Sequence, residues 1–167
     1  MAIEGYLMDT GIVVHYFSRQ VNVIARIESL PDDSMLFISA ITRGELEFGH
    51  CRTTSTDHER RAEFDRFVRD EFRDRFIISV TKDTGMYYGD LKAKLFATYP
   101  PQNRRINHPE TLFDPVTGSE LGIDENDLWI AAQAIEHNLV LVTADKMEKI
   151  KTVAGGLLED AENWTHL

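Results

Sequence analysis

Four carboxylates stand where an α/β chain would bring them together: Asp9, Glu45, Asp127 and Asp145. Asp9 ends the apolar run Tyr6-Leu7-Met8, and Asp145 follows Leu139 to Val142 after Thr143-Ala144. Asp127 opens a helix feeding that second run, and Glu45 lies one turn into the helix after Met35 to Ile38. In open α/β sheets the site lies beyond the carboxyl ends of the strands, so these positions converge. Unpaired, the four acids repel one another and push each other's pKa upward. A hard cation such as Mg2+ or Mn2+ accepts oxygen ligands and relieves that repulsion. Each acid also has an ordinary structural role open to it. Asp9 can be a turn former or helix cap, and Glu45 the far half of a capping box with Thr42. Asp127 can favour the helix dipole beside Asp124, and Asp145 can cap Lys146 to Ile150. Their conjunction after successive strands is what favours chemistry.

The elements that must position these residues follow from the apolar pattern. Strands are expected at Tyr6 to Met8, Met35 to Ile38, Phe76 to Val80 and Leu139 to Val142, with a short last strand or tail before Trp164. Val21, Ile24, Ile27 and Leu30 recur at helical spacing, as do Phe64, Phe67, Val68 and Phe72 within Asp57 to Phe72. Thr81 or Asp83 caps a helix with an apolar stripe from Tyr87 to Phe96. Asp124 to Glu136 is a helix with Leu128, Ala131, Ala132 and Ile135 inward. Residues 99–121 carry Pro100-Pro101, Pro109, Pro115 and Gly118, which forbid a long regular element. An irregular surface loop is expected there, with a short hairpin around Thr117-Gly118. Short apolar strands alternating with longer helices imply a three-layer α/β/α fold with a central, mostly parallel sheet. One domain over residues 1–167 suffices.

Bulk properties limit the function classes. Of 167 residues, 43% are hydrophobic and 28% charged, the balance of a folded globular chain. The single cysteine, Cys51, supplies neither an internal disulfide nor a thiolate cluster. Met1 to Phe17 carries Glu4 and Asp9 and lacks a basic leader segment. No apolar stretch reaches the roughly 18 residues of a membrane span, so a cytoplasmic location is expected. The formal net charge of -10 works against non-specific nucleic-acid affinity, which comes mostly from Lys and Arg on phosphates. It suits carboxylates gathered round a cation, or a basic protein partner. There is no phosphate-cradling glycine loop, since Gly155-Gly156 lacks a following Lys-Ser or Lys-Thr, and the histidines show no HExxH spacing. Arg43, Arg52, Lys82, Arg104 and Arg105 are candidate phosphate contacts or ordinary surface charge.

The segment Tyr6-Leu7-Met8-Asp9-Thr10-Gly11-Ile12-Val13 resembles the opening of PIN-domain nucleases, especially the VapC-type toxins of toxin–antitoxin pairs. Ile38-Ser39-Ala40-Ile41-Thr42-Arg43-Gly44-Glu45-Leu46 is similar to that family's second motif, and Asn126-Asp127-Leu128-Trp129-Ile130-Ala131-Ala132-Gln133-Ala134 to its third. Leu141-Val142-Thr143-Ala144-Asp145 resembles the fourth, and Glu159 through Trp164 the usual tail. The resemblance implies a metal-dependent ribonuclease in which Asp9, Glu45, Asp127 and Asp145 bind Mg2+ or Mn2+. It further implies that Thr143 orients a metal-bound water and that Glu148 helps hold metal or water. It also implies a homodimer, and a small cognate antitoxin whose basic segment enters the acidic pocket. Three positions depart from the family pattern: Gly11 replaces the usual Asn, Asp145 the common Asn, and Lys149 a frequent Phe. The stretch 99–121 is longer than usual and reads as a loop insertion.

Other readings compete. A PIN scaffold acting only through protein contacts, and a solitary RNA-processing nuclease, both remain open. Asp9-Thr10-Gly11 also matches the triplet of aspartic proteases, but those are almost all β.

Overall fold

A computed structural model describes residues 5–52, 58–72, 76–101, 103, 105, 107–144 and 147–166. Asp145, Arg104 and the expected helix start at Asp57 lie outside the described residues. In chain order the elements are β1 (Gly5–Met8), α1 (Thr10–Phe17), α2 (Val21–Glu28), β2 (Met35–Ser39), α3 (Ala40–Arg52), α4 (His58–Phe72), β3 (Ile77–Ile78) and α5 (Lys82–Thr98). After a 3-10 turn at Pro109–Thr111 come α6 (Glu125–Glu136), β4 (Val140–Thr143), α7 (Glu148–Ala154), a second 3-10 turn at Gly155–Leu158, and β5 (Glu162–Asn163).

Among the described residues five strands form one sheet in the order β3-β2-β1-β4-β5, with its pairings parallel. Successive side chains of a strand face opposite ways, so each strand feeds two apolar layers. Leu7 and Leu141 pack with α5, α6 and α7, whereas Met8, Ile38, Val140 and Val142 pack with α1, α2 and α4. Both faces are covered by helices, which is why the central strands carry apolar side chains at consecutive positions. This is the three-layer arrangement expected from the sequence. It is not the all-β architecture an aspartic protease requires.

Strand order reverses at β1. The chain runs outward through β2 and β3, then returns to place β4 on β1's other side, leaving a crevice at the carboxyl ends of β1 and β4. Asp9 N–H donates to Val142 O at 2.9 Å and fastens those two ends together.

Two expectations need correction. The strand expected over Phe76 to Val80 pairs only at Ile77–Ile78, because it lies at the sheet edge and Ser79 and Val80 are exposed. The stretch 99–121 is also more than a surface loop. Tyr99, Leu112 and Leu121 enter the core beside α5 and α6. The expected hairpin is present as a tight turn: Gly118, at φ 69°, donates to Asp114 O at 2.8 Å, and Phe113 bridges Glu120 antiparallel. A positive φ strains side chains other than glycine's, so Gly118 is the residue that lets the chain reverse there. Lys149 in α7 donates to Asp114 Oδ2 at 2.6 Å, tying this segment to the last helix. Lys149, which departs from the usual Phe, thus has a polar partner in the longer stretch.

Candidate active site

Asp9 is the first residue after β1, and its carboxylate accepts from Ile12 N at 2.7 Å, capping α1. The cap satisfies one amide at the helix start, while burial leaves the side chain only 8% exposed. The structural role open to Asp9 is therefore real, and it also holds the carboxylate over the crevice. Gly11 lies beneath it. A Cβ built there would meet Ala144 Cβ at 3.3 Å and Asp9 Oδ1 at 3.4 Å, so this departure lets α1 press close to the end of β4.

Glu45 is not part of a capping box. The helix begins at Ala40, its first turn closed by Ile41 N donating to Ser39 Oγ at 2.9 Å, and Thr42 is buried inside the helix. The Glu45 carboxylate instead accepts from Thr10 Oγ1 on one oxygen and from Asn126 Nδ2 at 2.9 Å on the other. Its two tethers come from 35 and 81 residues away in the chain, which pins an α3 side chain between α1 and α6.

Asp127 does form a capping box, with Asp124. Asp127 N donates to Asp124 Oδ1 at 2.9 Å, and Asp124 N donates to Asp127 Oδ2 at 2.9 Å. Its carboxyl is nevertheless pushed up to about 7. Burial is the main cause, followed by repulsion from Asp124, Asp9 and Glu45, against which the Asp124 amide works in the opposite sense. Asp9, Glu45 and Asp124 thus all act electrostatically on Asp127.

A cavity of about 50 Å³ opens there, lined by Asp9, Ile123, Asp127, Thr143, Met147 and Ile150. Thr143 is the last residue of β4 and is buried on this wall. Glu45 lies off the wall but within electrostatic reach of Asp127. Glu148 opens α7, is exposed, and lines the neighbouring groove rather than this cavity. Among the described residues no three His, Cys, Asp or Glu side chains close into a cage that could hold a metal ion. The donor chemistry still fits a hard dication. The carboxylates are oxygen donors, one backbone amide is the group that opposes their repulsion at Asp127, and the cavity has room for an ion and its water.

Two neighbours of these acids carried no role in the sequence reading. Asn126 adjoins Asp127, and Thr10 adjoins Asp9; both hydrogen-bond Glu45. The only signal for either is adjacency to a motif acid.

The chain is similar to known proteins in sequence and in fold. The PIN domain family model matches residues 6–155. Ribonuclease VapC2 of Rickettsia felis is 26% identical over 161 residues, spanning 95% of this chain and 97% of the relative. In fold, the chain resembles the crystal structure of VapBC2 from Rickettsia felis bound to a DNA fragment from their promoter. The TM-score there is 0.68 at 24% identity, over 96% of this chain and 98% of that one. VapBC-1 from nontypeable Haemophilus influenzae gives a TM-score of 0.63 at 22% identity, over 96% and 98% of the two chains.

Proposed function

The chain belongs to the PIN-domain family, and from that premise we propose that it is a metal-dependent ribonuclease, the toxin of a toxin–antitoxin pair. One observation carries the reading: a partly buried carboxyl, Asp127, has its pKa pushed up to about 7 by burial and by the charges of Asp124, Asp9 and Glu45 at the sheet's reversal point. A strongly perturbed acid in a cleft, facing other acids, marks a functional site more often than a structural one.

In this reading Asp9, Asp127, Glu45 and Asp145 hold Mg2+ or Mn2+, with Glu148 assisting from the mouth of the groove. The ion supplies polarisation of the scissile phosphate and an acidified water. The chain's own residues do the rest. Thr10 and Asn126 fix both oxygens of Glu45, the Ile12 amide orients Asp9, and the Asp124 amide orients Asp127. The Thr143 hydroxyl, at the end of β4, orients the attacking water. Such fixed second partners preserve ligand geometry through the reaction.

The test is degradation of single-stranded RNA with Mn2+ and with chelator, comparing wild type with Asp9→Asn and Asp127→Asn. Asn at position 9 keeps the helix cap, so lost cleavage there reports chemistry rather than folding. Millimolar Mn2+ should also raise the melting temperature of wild type but not of Asp127→Asn. Metal-independent cleavage, or none at all, would sink the proposal.

The same acidic crevice suits a basic segment of a small antitoxin, whose Arg or Lys would pair with the carboxylates; complementary charge speeds such association. A tight complex with the neighbouring small protein that cleaves RNA as fast as free enzyme would leave a solitary nuclease. A homodimer has support in apolar side chains left exposed on α2 and α3, Val21 and Phe48. Light scattering giving monomer mass at every concentration would overturn it. Among the described residues no helix is long and apolar enough to cross a membrane.

A further inference from the structure

Beside the acidic cavity lies a larger groove of about 290 Å³, lined by Thr143, Glu148, Lys151, Glu162, Asn163 and His166. Thr143 and Met147 line both hollows, so the two share one wall. Resting on the nuclease reading, we infer that this groove seats the nucleotide next to the scissile phosphate of a single-stranded RNA. Lys151 contacts its phosphate, and Asn163 and His166 contact its base.

Charge and hydrogen bonding in the groove support this occupant. Glu162 is spent internally: it accepts from Arg26 through Nε at 3.2 Å and Nη2 at 3.0 Å, and from Trp164 Nε1 at 2.6 Å. Lys151 donates only to a backbone carbonyl, Ala161 O at 3.3 Å, and among the described residues no carboxylate pairs with it. Its positive charge is therefore available to a phosphate, one helical turn beyond Glu148.

The groove's far wall is built in advance. Trp164 is 1% exposed and stacks at a tilt on Tyr6, with ring centroids 5.5 Å apart. Asn22 Nδ2 donates to Thr165 O at 2.9 Å and fastens the tail to α2. Asn163 Oδ1 accepts from Thr165 N at 2.9 Å and from Thr165 Oγ1 at 2.7 Å. That fixes which way the amide points and leaves Nδ2 as a donor for an acceptor on a base edge. The exposed ring of His166 offers a stacking surface. Single-stranded RNA is recognised by such a combination of base-edge hydrogen bonds and stacking. The volume is near the lower end of ligand cavities, enough for one base and its sugar. A groove fixed before binding loses little ordering entropy when filled.

The experiment measures binding of fluorescently labelled single-stranded RNA oligomers to the full chain in chelator, by anisotropy over a range of salt. Wild-type cleavage in Mn2+ is measured alongside. Lys151→Ala and Lys151→Gln should weaken binding about fivefold to tenfold and flatten the salt slope by about 0.7, the loss of one phosphate contact to a single strand. The Gln variant keeps a donor for Ala161 O, so a loss shared by both reports charge and not folding. Lys151→Arg should keep the slope, and Lys94→Ala, on the exposed face of α5, should leave binding unchanged. Asn163→Ala should weaken some oligomer sequences more than others at an unaltered salt slope. If wild type cleaves RNA while both Lys151 variants keep the wild-type slope, the groove assignment is overturned and the nuclease reading stands. If wild type neither binds nor cleaves RNA, both fall.

Discussion

The two ends of α6 carry partly buried carboxylates with opposite fates. Asp127, in the first turn, is raised to about 7. Glu136, in the last, is lowered: burial acts to raise it, but hydroxyls of Thr81 and Thr84 donate to its two oxygens and His137 stands beside it. The helix dipole predicts the reverse, since it favours anions at the amino end and disfavours them at the carboxyl end. Local partners outweigh it at both ends. Glu136 has hydrogen bonds that complete its charge. Asp127 has one backbone amide, and three acids contribute to its repulsion. The fold is able to satisfy a buried acid, and at the crevice it does not. That difference is what the proposed cation at the crevice would remove.

The largest effect that would break the comparison is at Asp127. Asp127→Asn should lower RNA cleavage about 10²–10⁴-fold, the range for removing a charged catalytic group. It should at the same time stabilise the metal-free protein at pH 8. A carboxyl that ionises near 7 instead of 3.8 destabilises the ionised fold by at most about 4 kcal/mol. Solvent screening of this partly exposed group reduces this, so a gain of about 1–3 kcal/mol is expected by urea denaturation in chelator. Equal stability of the two proteins at pH 8 would mean that Asp127 is already satisfied, and the contrast with Glu136 would vanish.

Asn126 sharpens the same point through geometry. Asn126→Ala leaves Glu45 with the Thr10 hydroxyl alone, and loss of such a supporting partner costs about 10–100-fold in activity or metal affinity. Kinetics at saturating RNA and a Mn2+ titration should both show it, with the urea midpoint little moved. Restoration of activity by Asn126→Gln would indicate that the amide and not the helix turn is what matters.

How far the sequence foretold this depends on the range of each interaction. β1 and β4 are legible because strands buried on both faces read as unbroken apolar runs, Tyr6 to Met8 and Leu139 to Val142. The shortness of β3 is not, because Phe76 to Val80 has the same apolar character and only its edge position limits the pairing. Asp9 and Asp127 are placed by their own strand and helix, so their neighbourhood follows from topology. Glu45 could be named as a site acid, but its partners could not: the local Thr-x-x-Glu pattern offers a capping box, whereas the actual partners lie in α1 and α6. The Thr81–Thr84–Glu136 set and the Lys149–Asp114 pair are invisible for the same reason: nothing local marks residues that meet only after folding.

Within the satisfied end, Thr84→Val keeps volume and removes the hydroxyl. It strips one donor from Glu136 and leaves Thr81 N without the acceptor it now has at 2.9 Å. Thr84 is fully buried, so the loss should reach about 1–3 kcal/mol in urea denaturation. RNA cleavage should be unchanged, because Glu136 lies about 13 Å along α6 from Asp127.

The smallest effect is also the one that tests the comparison by sign. Glu136 has a lowered pKa in the folded chain, so its ionised form contributes stability above the unfolded value near 4.5, and that contribution is lost as pH falls through the lower folded value. Wild type should therefore exceed Glu136→Gln in stability at pH 7, and the gap should close on acidification below about pH 4. For Asp127 the folded value is raised, so the penalty is absent below 3.8 and grows as pH climbs through about 7. Wild type should therefore match Asp127→Asn at low pH and fall progressively below it toward pH 8. Plotted as differences from wild type in chelator, the two curves diverge with rising pH in opposite directions from one helix. Curves with the two signs exchanged would show that helix position, not local partners, governs these acids, and would remove the physical argument for a cation at the crevice.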